Sequence, residues 1–317
     1  MNIIFTVCNR NTLAGAQVLA ETVIRYQPDS IMYLCWVDTC ALPALPDTIQ
    51  VIDVSDVRIP GFKEMCDRYY DFELVAACRP WFALHIFGNR SIEFDALTFL
   101  APSSMLVRGI VPMPQEFDLC LTPNITGPLP RDPRLDDKRI LNVGMFYSGA
   151  WSVRKSEGTE KMLQWWASRT FDRAKFDLCN GMCMDQLWLN YAPVWVPQTT
   201  MRNNPGWQFG LRSVLSNPLT VVNGIYYAGA EPLISLDFTG LITFDPVWSD
   251  HVGLLSENRA FEKLFKEYKK KVEAAKVEIA AGEMGGYGIF PKISEHRLLR
   301  KRVAALLHTA VDYIDRF

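Results

Sequence analysis

The first hundred residues alternate continuously apolar runs with amphipathic stretches, and no other feature of the chain narrows its fold so far. Asn2–Cys8 is an apolar strand that leads through Asn9-Arg10-Asn11 into a helix with Leu13, Ala16, Ala20, Val23 and Ile24 on one face. Pro28-Asp29 ends that helix. Ile31–Val37 is a second apolar strand closing on Asp38, and Ile49–Val54 is a third. Phe72–Phe87 reads as a buried helix containing Pro80, and Ser91–Asp95 as the strand after it. Strands apolar on both faces with helices between them predict a parallel sheet covered on both sides. Ligands of such sheets bind beyond the carboxyl ends of the strands. Those ends carry Cys8-Asn9, Asp38 and Asp95.

The second half is less regular. Phe117–Thr122, Ile140–Tyr147 and Leu233–Phe238 read as strands, and Gly158–Ser168 and Met182–Tyr191 as helices. Proline, asparagine and glycine cluster from Gln198 to Asn223, the pattern of a long ordered loop or an insertion. Ala260–Ala281 is an amphipathic helix with Phe261, Leu264, Phe265, Tyr268 and Val272 on one face, closed by Gly282, Gly285 and Gly286. A last helix runs from Ser294, its expected N-cap, to the terminus. The expected division is an α/β domain over residues 1–255 and a helical annex with a glycine-rich flap over residues 256–317.

With 317 residues, 49% of them hydrophobic and 21% charged, the chain is long and apolar enough for a large core. Its 33 basic and 35 acidic residues leave a net charge of −2, which offers nucleic acid no global attraction. Nucleic acid is not an expected partner. The eight cysteines mostly lie inside apolar runs such as Leu34–Val37 and Leu119–Leu121, as buried thiols do. Cys179 and Cys183 lack the two further ligands that a zinc site would need. The sequence opens directly on a strand, so no secretory leader is expected. No apolar run approaches the roughly 20 residues of a membrane span. Together these features place the protein in the cytoplasm, with peripheral contact at a membrane left open.

Several short strings, in order, resemble one family. Phe5-Thr6-Val7-Cys8-Asn9, a helix, and a strand ending in Val37-Asp38 are similar to the nucleotide-binding start of GT-A glycosyltransferases. The likeness is to bacterial relatives of the retaining, glycogenin-like group, family eight. Tyr70-Asp71-Phe72-Glu73-Leu74 followed by Arg79-Pro80-Trp81 resembles the helix before that family's metal motif. Thr122-Pro123-Asn124 and Asn142-Val143-Gly144-Met145-Phe146 resemble its Asn-x-Gly strand. Leu163-Gln164-Trp165-Trp166 and Met184-Asp185-Gln186-Leu187-Trp188-Leu189-Asn190 match its later helices, the second being the most specific string. Asp237-Phe238-Thr239-Gly240 stands where the family has His-Phe-Ser-Gly. The resemblance covers residues 1 to roughly 245 and implies a GT-A α/β fold with a mixed sheet.

It also implies an activity: transfer of a hexose from a nucleoside diphosphate sugar, expected to be UDP-linked, to a glycan or lipid-linked acceptor, with retention of configuration. An inverting GT-A enzyme is one rival, with Asp185 or Asp237 as base. A non-catalytic nucleotide-sugar-binding protein is another. The family places a carboxylate and an amide beneath the anomeric carbon, here Asp185 and Gln186. A carboxylate at the start of a helix is also what the helix dipole favours. Donor contacts are expected from Thr6, Asn9, Asp38, Arg79, Asp95, Asn142 and Gly144, although Asp38 reads equally as a turn carboxylate. Trp207, in Asn204-Pro205-Gly206-Trp207, is the expected acceptor-side contact.

The family's cation is held by Asp-x-Asp and a late histidine. The matching string Glu93-Phe94-Asp95-Ala96-Leu97-Thr98 has Leu97 for the second carboxylate, and Asp237 replaces the histidine. The expectation is therefore no cofactor, with Mg²⁺ or Mn²⁺ between Asp95 and Asp237 as the alternative. Without metal, the leaving diphosphate needs positive side chains. Candidates are Arg79, Arg202, Arg212 and the terminal group His296, Arg297, Arg300, Lys301 and Arg302, of which Arg297, Arg300 and Lys301 are nominated. A solvated helix face is the other reading of that group. Gly285-Gly286-Tyr287-Gly288-Ile289-Phe290 resembles a flap in such enzymes.

Overall fold

The computed structural model describes residues 1–112, 116–132, 134–277, 286–292 and 295–314. A seven-stranded mixed sheet forms its centre. Strands β1 (Asn2–Cys8), β2 (Ser30–Trp36) and β3 (Ile49–Asp53) run parallel, and β4 (Ala96–Leu100) joins β1 in the same sense. β5 (Ser104–Leu106) leaves the main sheet, while β6 (Leu119–Pro123) and β7 (Phe146–Val153) extend it. β7 pairs antiparallel with both β4 and β6, and the short β8 (Thr199–Met201) closes the edge parallel to β6. β9 (Ser235–Asp237) pairs antiparallel with β5 in a separate two-stranded ribbon. The α/β class with a mixed sheet is the architecture the resemblance implied.

β1 shows why these runs become central strands. Ile3, Phe5 and Val7 pack into one apolar layer with Leu74, Cys78 and Phe82 from α2 (Asp71–Gly88) and Leu163 and Trp166 from α3 (Glu157–Thr170). The alternate residues Ile4 and Cys8 pack on the other face against Leu13, Ala16, Leu19 and Val23 of α1 (Leu13–Tyr26). A strand buried on both faces is apolar at nearly every position, Thr6 being the buried exception in β1. Pro80 is carried inside α2 without ending it. A third apolar cluster brings Phe209, Leu236 and Phe238 against Phe261, Leu264, Tyr268 and Val272 of α4 (Arg259–Ala274). The apolar stripe read in the sequence is thus the buried face of that helix. Asn258 starts it, accepting from the Phe261 amide at 2.9 Å, and the helix ends at Ala274, short of the expected Ala281.

Three sequence expectations need correction. The strand placed at Ser91–Asp95 is instead Ala96–Leu100, because the apolar Leu97 and Phe99 pair and pack while Asp95 stays exposed. The strand placed at Ile140–Tyr147 begins as a short helix, Asp137–Val143, capped by Asp136 and broken by Gly144 at φ +112° before β7 starts. The helix placed at Met182–Tyr191 is a two-residue strand, Met182–Cys183, then a 3-10 turn over Leu187–Tyr191. Met184 there takes a left-handed φ of +49°, which α-helix propagation does not allow. The last helix, α5, spans Arg297–Ile314. Ser294, Gly282 and Gly285 lie outside the described residues.

Candidate functional site

A cavity of 840 Å³ opens at the carboxyl edge of the sheet. Its walls include the β1–α1 turn at Asn9-Arg10-Asn11, one face of α2, the start of β7, and the loop after β9. Asp71, Val75 and Arg79 recur every four residues, so α2 turns all three toward the cavity. The carboxyl end of β4 contributes Ala101, Pro102 and Ser103. A space of this size suits a ligand as large as a nucleotide sugar.

At one end of the cavity the strand ends are locked by an ion pair. Asp38, buried just after β2, takes hydrogen bonds from the Arg10 backbone N–H at 2.9 Å, the Thr39 N–H at 2.7 Å and the Arg10 guanidinium. Burial alone raises its pKa, but the Arg10 hydrogen bonds outweigh that and hold the carboxyl below the usual carboxylate range. Asn9 lines the same corner; its amide lies 3.5 Å from Asp71 Oδ2, and the Asn11 amide donates to that oxygen at 2.8 Å. Thr6 is wholly enclosed two residues further down β1, and its hydroxyl has no partner among the described residues. It does not line the cavity.

On the far wall, Arg79 Nη1 donates to both oxygens of Asp185, at 3.2 and 3.1 Å, and to Ser148 Oγ at 3.1 Å. Ser148 Oγ donates to Asp185 at 2.8 Å. Gln186 Nε2 donates to the Val143 carbonyl at 2.8 Å, and its Oε1 accepts from the Ser148 N–H at 3.2 Å. Burial pushes the Asp185 carboxyl up, against the opposing pull of Arg79 and Ser148. Asp185 is 0% exposed and stands behind Arg79 and Ser148. Only Gln186 of the pair touches the cavity. Asp185 therefore orients groups that face the cavity and presents no oxygen of its own there. Arg79 lines the cavity, and its Nε is enclosed without a partner among the described residues.

Asp237 is spent in the same way. Its Oδ1 accepts from Ser103 Oγ at 3.0 Å and Thr239 Oγ1 at 2.6 Å, and its Oδ2 from Arg212 Nη1 at 2.6 Å. Arg212 Nη2 donates to the Gln208 carbonyl at 2.6 Å, and its guanidinium lies 3.9 Å from the Tyr147 ring centre. Both partners of this pair are buried.

The structure does not bring the remaining nominated residues together. Asp95 precedes β4, so it sits at the amino edge of the sheet, exposed and paired with the Met1 ammonium. Asn142 lies exposed on the short helix after Asp136, away from the cavity. Gly144 is buried beside Asn190 and Leu187, and its carbonyl accepts from the Asn124 amide. Trp207 is buried with its indole N–H on Thr122 Oγ1 at 2.9 Å, so its ring is wall and not an acceptor platform. Arg297 and Lys301 both pair with Asp250, and the Arg297 guanidinium lies 4.9 Å from the ring centre of Phe244, a cavity residue. Arg300 is exposed. The terminal group thus reaches the cavity wall at one residue, already neutralised by Asp250.

The nominated pair, Asp95 and Asp237, does not come together to hold a divalent cation. The strand end that faces the cavity carries Ala101-Pro102-Ser103 and no carboxylate, Asp95 is at the opposite edge, and Asp237 is saturated by Arg212, Ser103 and Thr239. Among the described residues no group of three metal-ligating side chains exists.

Sequence reasoning missed Arg10, Ser148 and Asp245. Asp245 follows Phe244 on the cavity loop, and its Oδ1 accepts from the Val247 and Trp248 N–H groups at 2.9 and 2.7 Å. Its one sequence signal is the Asp-Pro pair, which marks a turn and says nothing of a cavity. Arg10 was legible only as one charge in a polar turn.

No family model matches this sequence, and no curated protein matches it. Among solved structures, the chain is similar to the galactosyltransferase LgtC in complex with donor and acceptor sugar analogs. That match has a TM-score of 0.46 and 13% identity, over 84% of this chain and 100% of that one. It is similar also to an active-site mutant of LgtC, with a TM-score of 0.45 and 14% identity, over 81% of this chain and 95% of that one.

Proposed function

We propose that this protein is a GT-A glycosyltransferase that moves a hexose from a UDP-sugar to a glycan or a lipid-linked saccharide, with retention of configuration. The observation that carries this reading is the cavity at the carboxyl edge of the sheet, where Asn9, Asp71, Arg79, Ser148 and Gln186 converge. Amides, a carboxylate and a guanidinium around one space are the groups that bind a polyol carrying a charged leaving group.

In the transfer, the bond from the anomeric carbon to the diphosphate oxygen breaks and its electron pair leaves with the diphosphate, while an acceptor hydroxyl oxygen bonds to that carbon on the same face and gives its proton to the departing diphosphate. Positive charge then grows on the sugar ring and negative charge on the leaving group. Arg10 and Arg79 line the cavity, each held by a buried aspartate, and offer guanidinium N–H groups to the diphosphate in place of a cation. Asp185 holds Arg79 and Ser148 in place, and Gln186 contacts the sugar. The protein acts without a bound metal in this reading.

The location proposed is the cytoplasm, in line with eight free thiols. No helix among the described residues is long and apolar enough to cross a membrane. α5 exposes Leu299, Leu306 and Leu307 next to Arg300, Lys301 and Arg302. That mixture suits peripheral contact with an anionic lipid surface, where a lipid-linked acceptor would reside.

The test is release of UDP from UDP-glucose and UDP-galactose in the presence of candidate acceptors, with anomeric configuration read by NMR. A second reading, a non-catalytic nucleotide-sugar-binding protein, is favoured by the enclosure of Asp185. It predicts tight binding of the same ligands and no UDP release at any enzyme concentration.

A further inference from the structure

Three carboxylates around the cavity are held by arginines: Asp38 by Arg10, Asp185 by Arg79, and Asp237 by Arg212. Two carboxylates that line it, Asp71 and Asp245, have no ion pair among the described residues. Asp71 is engaged by the Asn11 amide, with the Asn9 amide at the limit of hydrogen bonding. Asp245 differs. Its Oδ1 caps the turn into the 3-10 segment Ser249–Glu257, while its Oδ2 accepts no hydrogen bond from any described residue. Turn capping requires one oxygen, and asparagine or serine supplies it as well. Capping accounts for Oδ1 and leaves Oδ2 unexplained.

We infer that Asp245 reads a hydroxyl of the transferred sugar, accepting its O–H at Oδ2 on the cavity wall. This rests on the reading of the cavity as a nucleotide-sugar site. A sugar hydroxyl is the donor that matches a lone carboxylate oxygen, and the resulting bond is charge-assisted. A phosphate at the same place would be repelled, by Asp245 and by Asp237 close to it. The charged groups that act on Asp245 are Asp237 from β9 and Arg79 from α2, and Cys183 lies within its field. Burial pushes the Asp245 carboxyl up to about 6, with the Trp248 and Val247 N–H groups opposing. The hydroxyl acceptor is therefore mostly protonated at pH 5 and ionised at pH 8.

The experiment is calorimetric binding of UDP, UDP-glucose, UDP-galactose, GDP and GDP-mannose to the full chain and to Asp245→Asn, at pH 5 and pH 8. Asn keeps the capping oxygen and turns the free acceptor into a donor; Asp245→Ser, which also keeps a capping oxygen, guards against misfolding. The expected result is a loss of about 10-fold in affinity for the preferred nucleotide sugar at pH 8. At pH 5 the loss shrinks toward none, and affinity for the bare diphosphate is unchanged at both pH values. Equal affinity of parent and variants for the nucleotide sugar at pH 8 overturns the inference and leaves Asp245 a turn cap. Equal weakening of diphosphate and nucleotide sugar also overturns it, since the effect then belongs to the loop as a whole. Failure of the parent chain to bind any of the five ligands removes the nucleotide-sugar reading itself, and this inference with it.

Discussion

Two kinds of carboxylate surround one cavity. Asp38, Asp185 and Asp237 are buried and each holds an arginine; Asp71 and Asp245 face the cavity with no cation of their own. The first kind builds the wall. An ion pair enclosed in protein is costly to desolvate and fixes two elements in one relative position, as Arg79 on α2 fixes Asp185 after the Met182–Cys183 strand. The second kind leaves oxygen to spare. Acidic residues at a site are thus not all ligand contacts, and those with the most partners are the least available to a substrate.

The largest effect expected from breaking this division is at Arg212. Arg212→Ala leaves Asp237 buried without a counter-charge, which costs on the order of 3–5 kcal/mol in urea unfolding. A loss no greater than a surface substitution gives would mean that Asp237 finds solvent or another partner.

Asp185→Asn comes next. Because Asp185 holds Arg79 and Ser148 and does not face the cavity, the change should lower kcat about 10–100-fold and leave KM nearly unchanged. A large rise in KM instead would place Asp185 in contact with the donor and blur the two classes.

How much of this was legible in the sequence depends on which physical signal each residue carried. β1 and β2 were readable because strands buried on two faces are almost wholly apolar, and α4 because its stripe has a helical period. β4 was misplaced because Asp95 looked like a strand end when it is a strand start, tied to the Met1 ammonium. The misplacement carried the metal motif with it. Asp185 and Gln186 were nominated from the order of their string, but the surroundings of Asp185 are set by Arg79 and Ser148, which lie 106 and 37 positions away. Trp207 was misread because exposure of a loop does not fix exposure of its side chain. The Asp-Pro pair marks Asp245 as a turn residue, and its hydrogen bonds are local, but its place on the cavity wall depends on elements distant in sequence.

A smaller effect is read by pH at Asp245. Asp245 has a pKa raised to about 6 in the folded chain, so the folded state binds its proton more tightly than the unfolded state does. The contribution to stability is full below the unfolded value near 4 and is lost as pH rises through about 6. Asp245→Asn should then raise Tm relative to the parent at pH 8 and not at pH 4. A parent and variant with the same difference at both pH values would show that Asp245 is ionised throughout.

The smallest expected effect is at the opposite edge of the sheet. Asp95→Asn should leave unfolding, nucleotide binding and turnover unchanged, since Asp95 is exposed and paired only with the Met1 ammonium. Lost activity there would return the carboxylate to the site.

The most direct test of the central claim is binding of UDP-glucose and UDP-galactose in excess EDTA, compared with the same titrations in Mn²⁺. Arginines that supply the positive charge predict binding of one of these sugars with the same affinity in both conditions, and its loss in Arg79→Ala. Binding that appears only with Mn²⁺, or that survives Arg79→Ala unchanged, would contradict a site whose charge comes from its arginines.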